Sequence, residues 1–103
     1  MNTITKLKYF CNGQFVESKT EKYDQIYNPS TGDVIAHSPR CTKEEVLSAI
    51  DAAKKAYPSW SNTPPMKRAQ ILYKIRDLII KNLDELTLSV ATENGKAWDE
   101  AEG

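Results

Sequence analysis

Two thiols, Cys11 and Cys41, are the side chains of this sequence with the highest intrinsic nucleophilicity. A thiol attacks as thiolate, so it needs a neighbouring base, a cation or a helix N-terminus to draw off its proton. Cys41 stands just before an expected helix start and is the better placed of the two. The pair forms no C-x-x-C unit, and the single histidine, His37, cannot complete a zinc site with them. His37 falls in an expected strand and reads as structural. The carboxylate neighbours Glu44-Glu45, Asp84-Glu85 and Asp99-Glu100 lie at or near expected helix starts. There the helix dipole favours acidic side chains, which accounts for them better than an acid/base pair does. Lys67-Arg68 is a dipeptide, not a basic patch, and Trp60 and Trp98 read as packing anchors. Gly13, Gly32, Gly95 and Gly103 are isolated, so no G-x-G-x-x-G, P-loop or G-x-S-x-G motif is present. The residues themselves point to no catalytic residue, no cofactor-binding residue and no metal ligand in this chain.

Composition narrows the class. Lys+Arg and Asp+Glu both count 14, so the formal net charge is zero and nothing in the total favours nucleic acid or an anionic membrane. A hydrophobic share of 40% with 27% charged residues is that of a folded chain in water rather than a disordered one. Met1 to Lys8 holds no apolar run of signal-peptide length, and no stretch approaches a membrane span, so the cytoplasm is the expected location.

The elements that would position these side chains read as strands first and helices after. Asn12-Gly13 separates Tyr9-Phe10-Cys11 from Gln14-Phe15-Val16, and Asn-Gly between β-prone runs predicts a type I′ hairpin. Tyr23 to Tyr27 predicts a further strand, Asn28-Pro29-Ser30-Thr31-Gly32 a reversal, and Val34-Ile35-Ala36 the return strand, closed by Pro39. At Thr42 the period changes. Thr42-Lys43-Glu44-Glu45 has the form of a capping box, and Val46, Ile50, Ala53 and Tyr57 follow along one helical stripe. Pro58 is expected to stop this helix and leave Trp60 in a loop. Thr63 is expected to cap a second helix with Pro64 at its first position and Leu72, Ile75, Leu78 and Ile79 on its buried face. A third helix is expected from about Asn82, burying Leu83, Leu86 and Val90 and closing at Gly95. Ala97 to Glu102 reads as a first helical turn with no body behind it, which leads us to expect a truncated chain.

Five segments, in order, resemble the aldehyde dehydrogenase superfamily. Tyr9 to Val16 is similar to its opening hairpin, and Asn28-Pro29-Ser30-Thr31-Gly32-Asp33-Val34-Ile35 to its Asn-Pro-x-Thr-Gly-x-x-Ile turn. Ala49 to Trp60 resembles the helix that ends in an aromatic residue and a tryptophan. Arg68 with Leu72 resembles the Arg-x-x-x-Leu of the next helix, and Glu93-Asn94-Gly95-Lys96 a Glu-x-Gly-Lys corner. With Trp60 to Ala69 added, the resemblance is greatest to the methylmalonate-semialdehyde dehydrogenase branch. The sequence departs from that branch at Cys11, where an aliphatic residue is expected, and at Ala97-Trp98.

The resemblance implies the following. The fold class is α+β as a fragment: N-terminal β-hairpins, then three to four helices, belonging to the α/β cofactor-binding domain. Residues 1–103 form one N-terminal segment, with a hairpin region at 1–41 and a helical region at 42–103. The full-length enzyme would use NAD and CoA to convert a malonate-type semialdehyde to an acyl-CoA, and would be a homo-oligomer. Its nucleophilic Cys, general-base Glu, oxyanion-holding Asn and nicotinamide motifs would lie beyond Gly103, since neither Cys11 nor Cys41 matches the nucleophile's motif. This chain would then be inactive alone and bind neither cofactor. Its partner would be the remainder of the dehydrogenase, with no nucleic acid and no membrane. The alternatives are a free-standing small interaction module and an inactive remnant of a disrupted gene.

Overall fold

The computed structural model describes residues 3–103. Five short strands lead into four helices: β1 (Thr5–Lys6), β2 (Tyr9–Cys11), β3 (Gln14–Val16), β4 (Tyr23–Tyr27), β5 (Val34–Pro39), α1 (Lys43–Asn62), α2 (Pro65–Lys81), α3 (Leu83–Asn94) and α4 (Trp98–Glu102). The expected α+β order is present. Asn12 (φ 52) and Gly13 (φ 78) both take the positive φ that a I′ turn demands, and β2 pairs with β3 so that Phe10 faces Phe15. Their rings meet edge to face at 5.0 Å.

β5 is the middle strand of a second sheet, antiparallel to β4 and parallel to β1. The β1 pairing was not expected from the sequence. A two-residue strand carries no periodicity, and a parallel partner from the start of the chain leaves no local turn signal. Between β4 and β5, the Asn28 carbonyl accepts from the N–H groups of Thr31 and Gly32, while its side chain accepts from Ser30 N at 2.9 Å.

Thr42 caps α1 as the sequence implied. Its hydroxyl accepts from Glu45 N at 3.2 Å, and the Glu45 carboxylate accepts from Thr42 N at 2.8 Å. Thr42→Ala is expected to lower unfolding free energy by about 1 kcal/mol, read as a shifted urea midpoint with unchanged slope.

Three sequence expectations need correction. Pro58 does not stop α1, which runs on to Asn62 and contains Trp60. A proline forfeits its own N–H and crowds the preceding turn, but the residues after it still donate. Hydroxyls reinforce that last turn: Ser61 Oγ donates to Pro58 O at 3.0 Å and Thr63 Oγ1 to Ser59 O at 2.8 Å. The stop comes from Pro64-Pro65, because the residue before a proline is pushed out of the α region, and Thr63 is accordingly extended. Thr63 is therefore the C-cap of α1, not the N-cap of α2. Pro64 holds the N-cap position without a side-chain hydrogen bond, and Pro65 opens the helix.

The third correction concerns burial. Leu72, Ile75, Leu78 and Ile79 of α2 are exposed, as is Leu86 of α3, while Leu83 and Val90 are half-buried. Among the described residues Ala36, at 9% exposure, is the one buried hydrophobic side chain. The chain is a plate of 48 × 36 × 18 Å with a Cα radius of gyration of 17.2 Å. A compact domain of this length would measure about 13 Å. Few elements touch others outside the sheets and the α3–α4 corner, so among the described residues the apolar face of α2 stays uncovered.

Gly95 ends α3 in the left-handed conformation, φ 69, with its N–H on Ala91 O at 2.9 Å. A Cβ built there would lie 2.9 Å from Pro29 Cγ, so the Asn-Pro turn is seated against the Glu-Asn-Gly-Lys corner.

Candidate functional site

The side chains with chemical potential come from several elements. Cys11 sits on β2 and Cys41 just ahead of α1, both half-buried and unpaired in disulfides. His37 lies on the central strand β5, where its carbonyl accepts from Leu7 N at 2.9 Å. The acidic pairs occupy the first turns of α1, α3 and α4. Among the described residues no group of three His, Cys, Asp or Glu side chains is arranged to hold a metal ion.

The densest polar junction is at Glu45. Besides closing the capping box, its carboxylate accepts from Ser18 Oγ at 2.6 Å and from Lys19 N at 3.0 Å. Ser18 is itself buried, and its hydroxyl also accepts from Thr20 N at 3.1 Å. One carboxylate thus ties the strand-to-strand linker at 17–22 to the start of the first helix. The local pattern gave the capping half of this role. The Ser18 half was invisible because it joins residues far apart in the chain, and only the tertiary course brings them together.

These donors hold the carboxylate charged. The Ser18 hydroxyl contributes most, then the N–H groups of Thr42 and Lys19, and together they lower the Glu45 pKa from 4.5 to about 2. A folded value below the unfolded one means the stabilisation is complete above the ordinary carboxylate range. It is then lost as pH falls from 4.5 toward about 2. Melting temperatures measured across that window should fall for the parent chain and change less for Glu45→Gln.

Beside this junction lies an open apolar groove of about 430 Å³. Tyr9 and Phe10 of the hairpin form one wall, Val46, Ala49, Ile50 and Ala53 of α1 the other, with Cys41 and Glu45 at one end. Desolvation raises the Tyr9 phenol above its usual pKa, and the neighbouring Glu45, Cys11 and Cys41 add to the rise. A second groove of about 380 Å³ runs between α3 and the sheet, with Leu7, Ile26, Ile35 and Leu88 among its lining. Both have the character of uncovered packing surfaces. Neither converges polar groups on a point where a reacting atom could sit.

The sequence model of the aldehyde dehydrogenase family matches residues 15–103. The chain belongs to this family. Among relatives of this dehydrogenase segment, the malonate-semialdehyde dehydrogenase of Lacticaseibacillus casei is 45% identical over 98 residues, which is 95% of this chain and 20% of that protein. Malonate-semialdehyde dehydrogenase 1 of Geobacillus thermodenitrificans is 42% identical over 100 residues, 97% of this chain and 21% of that protein. A solved structure described as a methylmalonate-semialdehyde dehydrogenase of Sinorhizobium meliloti, complexed with NAD, superposes with a TM-score of 0.94 at 30% identity. The match covers 100% of this chain and 21% of that one. The chain thus spans 20–21% of the length of these relatives. Its open arrangement of hairpin, sheet and helices is one that full-length dehydrogenases adopt.

Proposed function

We propose that the chain is the N-terminal part of an NAD-dependent, CoA-acylating dehydrogenase of malonate or methylmalonate semialdehyde, within its cofactor-binding domain. The whole enzyme would oxidise the semialdehyde while reducing NAD to NADH and pass the acyl group to CoA. The observation that carries the reading is the 45% and 42% identity to two malonate-semialdehyde dehydrogenases over nearly all of this chain. On this reading residues 1–41 and 42–103 are the hairpin and helical halves of one scaffold segment. Its partner is the rest of a dehydrogenase polypeptide, the assembled enzyme is a cytoplasmic homo-oligomer, and nucleic acid and membrane have no part.

The scaffold role rests on chemistry. Acyl transfer from an aldehyde needs a thiolate, a proton acceptor and donors aimed at the developing oxyanion. The thiols here stand on β2 and just ahead of α1, and neither matches the family's nucleophile motif. The isolated chain is therefore expected to form no NADH from malonate semialdehyde and NAD, with or without CoA. Joined ahead of the remaining four-fifths of the Lacticaseibacillus casei enzyme, it should restore CoA-dependent NADH formation. Turnover by the isolated chain that requires Cys11 or Cys41, or a joined protein that folds but oxidises only unrelated aldehydes, would overturn the assignment.

A further inference from the structure

We draw no further inference here: the strongest candidate, the cluster of Tyr9, Cys11, Cys41 and Glu45 where the β2–β3 hairpin meets the start of α1, rests on two unpaired thiols beside an open apolar groove, and nothing in the structure shows what ligand or partner would occupy it.

Discussion

Gly95→Ala should lower the melting temperature of the chain by at least about 10 °C. Two independent costs add there. A residue with a side chain held at the φ of 69 pays about 1–2 kcal/mol for the left-handed conformation. Its Cβ would also stand 2.9 Å from Pro29 Cγ, and the ring of Pro29 is fixed to the backbone and cannot swing away. Forcing an extra carbon into a filled contact typically costs about 1–3 kcal/mol. In a chain of about a hundred residues each kcal/mol moves the midpoint by about 4–8 °C. The two costs are separable. Gly95→Ala in a Pro29→Ala background relieves the clash and leaves the conformational cost, so part of the lost stability should return. Full stability in the single variant would show that the Asn-Pro turn and the Glu-Asn-Gly-Lys corner are not in contact.

The second large effect is on cooperativity. The isolated chain at neutral pH should bind a hydrophobic dye strongly and melt over a broad range. With Ala36 the one buried hydrophobic residue among those described, apolar burial has little to offset the backbone entropy lost on folding. Leu72, Ile75 and Ile79 of α2 are exposed besides, and exposed aliphatic side chains on one helix are what such a dye binds. Fluorescence enhancement of the dye with a calorimetric scan reads both properties. A sharp, dye-silent transition would favour the alternative of a free-standing interaction module, because such a module must carry its own core.

The elements whose signals are local were legible in the sequence. Asn12-Gly13 requires positive φ at two adjacent residues, and Thr42 with Glu45 completes its hydrogen bonds within one turn of helix, so each could be read from neighbours alone. Gly95 belongs with them. The errors arose where one local rule outranked another. Pro58 has the form of a terminator, yet the tandem Pro64-Pro65 governs the end of the helix through its effect on Thr63. What remained hidden was tertiary: the β1–β5 pairing, the Ser18–Glu45 bond and the Pro29–Gly95 contact each join segments with no sequence relation to one another. The apolar periodicity of α2 marks a stripe, and in this chain the stripe is exposed. A stripe reports that a surface will be covered in the finished protein, and not that the covering lies in the same 103 residues.

The parallel pairing of β1 with β5 also sets an order of assembly. β4 and β5 are joined by a tight turn and can meet as soon as Pro39 is available, with little chain to close. β1 must wait for that edge to exist and then bridge the whole length of the first hairpin to reach Ala36 and His37. It contributes only a two-residue ladder and the bond from Leu7 N to His37 O once it arrives. Non-local contacts that close a long loop for so few hydrogen bonds form late and open first. The start of the chain is therefore the last strand to join this sheet and the first to leave it.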